Sequence, residues 1–174
     1  MKSIETKRTI ISALQPLDAP FIYSLLNSPG WLRFIGDRGI RTLDDARNFI
    51  INGPMKSYQD NGFGLCLVQE KESGNKMGLC GLLKREQLDN LDLGFAFLPE
   101  YHGKGYAKEA ATAMINYARE ALKLNYLLAF TDADNIRSIQ LLEKLGFVFD
   151  KMIPWPNSED LKLFAINLSL YASE

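Results

Sequence analysis

The sequence predicts a mixed α/β fold: a central, mostly antiparallel sheet of about seven strands, with about four helices on its faces. Three observations carry that expectation. Two strand-like segments, 63–71 and 77–84, flank Glu72-Ser73-Gly74-Asn75, a hairpin signal that sets them antiparallel. A helical stripe of Ala107, Ala110, Ala111, Met114, Ile115, Ala118, Ala121 and Leu122 separates the strand-like segments 91–98 and 126–131. A helical crossover of that kind joins parallel neighbours, so one parallel pair is expected. Connections are short, with no repeat, linker or low-complexity tract, and a single domain over residues 1–174 follows.

The elements justify themselves in order. Arg8 to Leu14 reads as a first strand. Asp18 can cap a short helix through Leu26, with Phe21, Ile22, Leu25 and Leu26 on its apolar side. Asn27-Ser28-Pro29-Gly30 stops it, and a loop of large residues follows, Trp31, Phe34 and Ile35 among them. Thr42 opens a second helix in a capping box with Asp45, and Leu43, Ala46, Phe49 and Ile50 form its inner stripe. In the fourth strand, Leu91 to Leu98, side chains alternate. Leu91, Leu93, Phe95 and Phe97 face one way; Asp92, Gly94, Ala96 and Leu98 face the other, a mostly small surface against which something can lie. The long helix runs to about Lys123, and Tyr126 to Thr131 is the fifth strand. Asp134 or Asn135 caps a helix that stops at Gly146. Phe147 to Lys151 and Leu161 to Leu170 are the last strands, with Pro154 and Pro156 between them.

Composition excludes several function classes. The chain is 47% hydrophobic and 24% charged, with 20 basic and 21 acidic residues and a net charge of -1. Phosphate-backbone binding usually needs a basic surplus, so nucleic acid is not expected as a partner. No apolar run approaches the roughly 20 residues that span a bilayer. No long apolar run follows the charges of residues 1–8, so no signal peptide and a cytoplasmic protein are expected. Cys66 and Cys80 sit among apolar strand residues and read as buried, reduced thiols. With one histidine, His102, and no metal-ligand spacing, no metal site is expected.

The informative segment is Leu98-Pro99-Glu100-Tyr101-His102-Gly103-Lys104-Gly105-Tyr106-Ala107-Lys108. A strand ends, a turn with two glycines follows, and a long helix begins. Glycines let backbone N–H groups approach a ligand, and the helix N-terminus adds partial positive charge. Together they form a site for phosphate groups, to which Lys104 and Lys108 add charge. A Walker A loop is excluded because Gly105, not Ser or Thr, follows Lys104. The dinucleotide fingerprint is excluded because Lys108 stands where a third glycine is needed. The competing reading is a turn whose glycines only permit a tight crossover.

The run from His102 to Ala107 resembles the pyrophosphate loop of the GNAT superfamily, [Gln/Arg]-x-x-Gly-x-[Gly/Ala], with His102 in the place usually held by Gln or Arg. Gly103-Lys104-Gly105-Tyr106-Ala107 is also similar to the branch of ribosomal-protein N-terminal acetyltransferases. So is the second block, Asn135-Ile136-Arg137-Ser138 through Glu143-Lys144-Leu145-Gly146-Phe147. With Glu5 to Arg8 and Asp160 to Ile166, the resemblance spans nearly the whole chain and implies a GNAT-like fold.

It also implies roles. Backbone N–H groups from His102 to Ala107 would hold the pyrophosphate of acetyl-CoA. The fourth strand would splay from the fifth, and its backbone near Phe97 and Leu98 would bond the pantetheine arm. Asn135 and Ser138, three apart on one helix face, would look toward the thiol. Asn135 reads equally as an N-cap and Ser138 as an exposed helix serine. An amine would attack the thioester directly, through a tetrahedral oxyanion that a backbone N–H can stabilise. Asp92 is the candidate base, against the reading of a charge at a strand's solvated end; Glu100 is an alternative. Many members donate a proton from a tyrosine seven residues after the Asn; Leu142 stands there, and Ser138 is the substitute. Trp31, Phe34 and Arg38 are expected to bind the acceptor, with Ile35 beside them and Trp155 closing the opposite side; core packing competes for Trp31 and Phe34.

The expected partners are acetyl-CoA and a primary amine, a protein N-terminus or a small molecule, handled by a monomer or homodimer. A non-catalytic acyl-CoA sensor, motivated by Leu142, and another nucleotide-binding protein are the competing functions.

Overall fold

Eight strands form one sheet in the computed structural model, which describes residues 2–156 and 159–171. They are β1 (Ile4–Glu5), β2 (Thr9–Ala13), β3 (Leu65–Glu70), β4 (Lys76–Leu83), β5 (Asp92–Phe97), β6 (Tyr126–Thr131), β7 (Val148–Ile153) and β8 (Leu161–Asn167). Their spatial order is β1-β2-β3-β4-β5-β6-β8-β7. The pairs are antiparallel except β5 and β6, which are parallel, as the helical crossover between them requires. The strand beyond the expected seven is β1, which pairs with β2 through Ile4 and Ile11. Two residues are too few to show a period.

Among the described residues six α-helices flank the sheet: α1 (Ala19–Leu26), α2 (Pro29–Phe34), α3 (Leu43–Ile50), α4 (Lys56–Asn61), α5 (Tyr106–Glu120) and α6 (Ile136–Lys144). The segment expected as a loop after Pro29 is helical through Phe34. Proline at the first helical position presets φ and lacks only an N–H that would be orphaned anyway. The chain stays helical past Ile50 through a wide turn, Ile51–Met55, whose loose hydrogen-bond pattern admits Pro54. Gly62, at φ 78°, ends α4. The Thr42–Asp45 capping box forms: Thr42 Oγ1 accepts from the Asp45 N–H at 3.1 Å, and Asp45 Oδ2 accepts from the Thr42 N–H at 2.8 Å. Asp18 does not cap α1. Its carboxylate accepts from the Gln15 N–H and from Lys76 Nζ in β4, which ties the helix entrance to the sheet.

Alternation along the strands divides the core in two. On one face, Ala110, Ala111, Met114, Ile115 and Ala118 of α5 pack on Leu93, Phe97, Leu127 and Ala129. On the other, Ile22, Leu25 and Leu26 of α1 and Ala46 and Ile50 of α3 pack on Leu67 and Leu79. Ala96 and Leu98 border that second layer, and a Cβ on Gly94 would meet Leu83 Cδ1 at 2.8 Å. The small face of β5 therefore serves packing. Cys66 and Cys80 are cross-strand neighbours, buried and unbridged. Burial pushes the Cys66 thiol up to about 12, which keeps it an inert core residue.

Candidate active site

The parallel pair β5–β6 is joined at one register position, Asp92 with Leu128, where the Leu128 N–H donates to Leu91 O at 2.9 Å. Beyond that vertex the later residues of β5 have no partner strand on this side. The edge they present follows from the register with β4. The Leu98 N–H donates to Met77 O at 3.0 Å, so alternate residues, Phe95 and Phe97, direct their N–H and C=O groups into the opening. This corrects the expectation for Leu98. Its N–H is held by Met77, and its C=O accepts from the Tyr101 N–H at 3.0 Å.

The strand ends in a single 3-10 turn, Pro99–Tyr101, and the His102 N–H closes it on Pro99 O at 3.1 Å. His102 therefore contributes no backbone donor to a ligand, and the run of available donors is shorter than expected. Gly103 and Gly105 have φ of 72° and 82°, the left-handed region that glycine reaches without strain. Open space lies where a Cβ of Gly103 would stand. Gly105 caps α5, and the first helical bond is Glu109 N–H to Gly105 O. The N–H groups of Gly105, Tyr106 and Ala107 precede that bond and point out of the helix end, where the dipole is positive. An anion with several oxygens fits this arrangement. Lys104 and Lys108 are exposed on the same turn, with Lys104 Nζ 5.9 Å from the Tyr101 ring centre.

Arg8, on the chain entering β2, braces the turn. Its Nε donates to Glu109 Oε2 at 2.7 Å, its Nη1 donates to Lys104 O at 3.0 Å, and its guanidinium lies 4.5 Å from the Tyr106 ring centre. The Thr6 hydroxyl and the Arg8 N–H both donate to Glu109 Oε1 at 2.6 Å. Partial burial pushes Glu109 up, but these donors and the guanidinium outweigh it and hold the carboxyl below its usual range. The Tyr106 hydroxyl donates to Glu70 in β3.

Helix α6 faces the turn from the other side. Asn135 caps it, Oδ1 accepting from the Ser138 N–H at 3.2 Å, so the two candidate residues are joined to each other. Arg137 donates to His102 Nδ1 at 2.5 Å, and His102 Nε2 lies 2.8 Å from Phe97 O. A guanidinium is only a donor, so the proton of the neutral ring is on Nε2 and points at Phe97 O. Leu142, where the resemblance would place a tyrosine, is 1% exposed in the α5 core.

At the vertex Asp92 is 1% exposed, which corrects the reading of a solvated strand end. Arg85 Nε donates to its Oδ1 at 2.8 Å. Burial pushes the Asp92 carboxyl up and the Arg85 charge and hydrogen bond pull it back, leaving it at about 6. The Arg85 guanidinium lies 4.9 Å from the Phe130 ring centre and 5.7 Å from that of Trp155, and those two rings are 4.4 Å apart. Glu100 is exposed beside Pro99.

The acceptor residues fare differently. Trp31 is 7% exposed, packed in the α1–α3 core, and offers no open face. Phe34 is half-buried beneath Arg33, and Ile35 and Arg38 are exposed. A concavity of about 770 Å³ is an open groove between β1 and α5 that reaches Arg8, Gly105 and Lys108 at the start of the helix. Among the described residues no cluster of His, Cys, Asp or Glu could hold a metal, and no helix is long and apolar enough to cross a membrane. Sequence reasoning missed Arg8, Arg85 and Arg137 as site residues. Each acts on a partner fixed by the fold, and an isolated arginine carries no local signal.

Known proteins resemble this chain in sequence and fold. Residues 8–148 fit a family model described as an acetyltransferase (GNAT) domain. An uncharacterized N-acetyltransferase, YnaD, of Bacillus subtilis is 28% identical over 158 residues, 88% of this chain and 89% of that protein. A putative ribosomal N-acetyltransferase of the same organism, YdaF, is 28% identical over 148 residues, 79% of this chain and 76% of that protein. The solved structure of RimL, a ribosomal L7/L12 α-N-protein acetyltransferase in complex with coenzyme A, superposes with a TM-score of 0.81 at 12% identity. It covers 95% of this chain and 98% of that chain, a likeness of fold.

Proposed function

Since this chain belongs to the GNAT acetyltransferase family, we propose that it transfers an acetyl group from acetyl-CoA directly to a primary amine, a protein N-terminus or a small molecule. The observation that carries the reading is the lone β5–β6 pair, Asp92 with Leu128, opening beside a glycine turn that starts α5.

The residues fit acetyl-CoA, the donor that this family uses. N–H groups from Gly103 to Ala107 suit its pyrophosphate, with Lys104 and Lys108 adding charge. The edge at Phe95 and the Phe97 N–H, with Phe97 O already met by His102 Nε2, suits the amide groups of a pantetheine arm, as a strand would pair there. When bound, acetyl-CoA supplies an activated acyl carbon. The Phe97 N–H, aimed into the opening, is a donor for negative charge developing on the acyl oxygen. Asp92 is the base. A carboxyl near 6 is ionised at neutral pH, yet basic enough to take a proton from an acceptor amine. An α-amine, with pKa about 7.7–8.0, needs less help than a lysine at about 10.4. Ser138, half-buried on the first turn of α6, is the donor to the departing thiolate. Half-buried Phe34 and exposed Arg38 stand on the acceptor side, while Trp31 supports that side from within the core.

The first test is thermal stability with acetyl-CoA, coenzyme A, ATP or NAD. A ligand at about 100 times its dissociation constant adds about 2.7 kcal/mol to the folded state. An upward shift with the two coenzyme A species alone is expected; no shift with either refutes the binding site. Thiol release is then measured with α-amines, polyamines and aminoglycosides. Binding with no release from any amine favours the sensor reading, which rests on buried Leu142 and the consequent lack of a phenol on α6 at that position.

A further inference from the structure

Arg85 lies in the connection between β4 and β5, outside every motif in the sequence. Its guanidinium nevertheless reaches across the vertex of the opening. One side donates to Asp92 at the start of β5, at 2.8 Å. The other lies over Phe130, two residues past the vertex partner Leu128 on β6, and against Trp155 after β7. The Asp92 side chain is 2% exposed and that of Arg85 is 26% exposed. An arginine fits such a place because its charge is weakly hydrated and its plane stacks on aromatic faces.

We propose that Arg85 is a positioning residue for acyl transfer: pinned between Asp92 and the Phe130–Trp155 ring pair, it keeps the buried Asp92 carboxylate ionised and oriented at the vertex where the amine must be deprotonated. The proposal rests on the reading of Asp92 as base given above. In this role Arg85 acts through Asp92.

The alternatives for holding Asp92 are few. From β6, Leu128 stands opposite it and Phe130 follows, both uncharged. Leu83 is its neighbour in β4. The one charged side chain bonded to it among the described residues is Arg85. Without that guanidinium, burial, the largest influence on the carboxyl, is opposed by no charge, only by a backbone hydrogen bond, and burial favours the protonated form. A protonated Asp92 cannot accept a proton from the amine. The two rings give the guanidinium a fixed seat, so the carboxylate is presented in one orientation.

The test compares wild type with Arg85→Met, Arg85→Lys and Asp92→Asn. The Asp92 carboxyl carbon is titrated by NMR in the full chain, and the pH profile of kcat/KM for the acceptor is recorded beside KM for acetyl-CoA. In Arg85→Met the Asp92 midpoint is expected to rise by about one pH unit or more, with Arg85→Lys close to wild type. The acidic limb of kcat/KM should move by the same amount, so that the loss at neutral pH recovers at high pH while KM for acetyl-CoA changes less than about twofold. An Asp92 midpoint unmoved in Arg85→Met overturns the proposal, and that readout needs no activity. So does a pH profile merely lowered by a constant factor, which marks a strut and nothing more. Full activity in Asp92→Asn instead removes Asp92 as the base, a separate failure from an unmoved midpoint.

Discussion

Arg137 donates to His102 Nδ1 at 2.5 Å and so joins the first turn of α6 to the glycine turn before α5. The same imidazole reaches Phe97 O at 2.8 Å, on the free edge of β5. Three parts of the proposed coenzyme site thus meet on one ring. His102→Ala is expected to raise KM for acetyl-CoA about tenfold, the loss of about 1.4 kcal/mol, a typical cost of unmade hydrogen bonds. Arg137→Ala should change it in the same direction by less, because the bond to Phe97 survives. Steady-state kinetics with acetyl-CoA varied checks both; a changed acceptor KM with unchanged acetyl-CoA KM would contradict the assignment.

Gly105 caps α5 at φ 82°, and a Cβ there would approach Arg8 Nη2 at 3.2 Å. Gly105→Ala combines left-handed strain of about 1–2 kcal/mol with pressure on the Arg8 brace. A lower Tm together with weaker acetyl-CoA binding is expected, measured by thermal shift and calorimetry. Unchanged values in both would mean that this conformation is not needed.

Glu109 receives Thr6 and both the backbone and side chain of Arg8. Its pKa is held below the usual range, so its stabilising contribution is present above the unfolded-state value and lost as pH falls through the folded one. Glu109→Gln should cost about 1 kcal/mol at neutral pH, discounted for the exposure of Arg8, and less at an acidic pH below the usual glutamate range. Urea unfolding at the two pH values measures the difference; a cost equal at both would assign it to packing.

Asp92 behaves oppositely. Its folded value of about 6 lies above that of an unfolded aspartate, about 3.9, so the native state binds more protons in that interval. Its contribution is fully present below about pH 4 and is lost as pH rises through about 6, by about 3 kcal/mol. Asp92→Asn should remove that decline from the curve of unfolding free energy against pH. Parallel curves for the two proteins would show that the buried carboxyl titrates normally.

Much of this was legible in the chain. Side-chain alternation and the helical stripe of α5 depend on spacing alone, so the hairpin strands, the crossover and its parallel pair could be read directly. The Thr42–Asp45 box and the glycine turn are equally local, since three or four residues contain all their partners. Element ends and neighbours were harder. Pro29, read as a stop, starts α2, because the same residue serves either end of a helix according to what packs on it.

What the sequence alone determined is therefore the material of the site: two glycines, the start of a helix, an aspartate on β5, and an asparagine and serine on α6. Tertiary structure decided which of their atoms are available. The β4–β5 register turns Phe95 and Phe97 toward the opening and Leu98 away, and which side of β5 stays unpaired depends on its neighbours in the sheet. Folding also buries Asp92 against Arg85, puts Trp31 in the core, and brings Arg8 and Arg137 to either side of the turn. Burial and long-range ion pairs depend on the whole packed chain, so no local pattern encodes them.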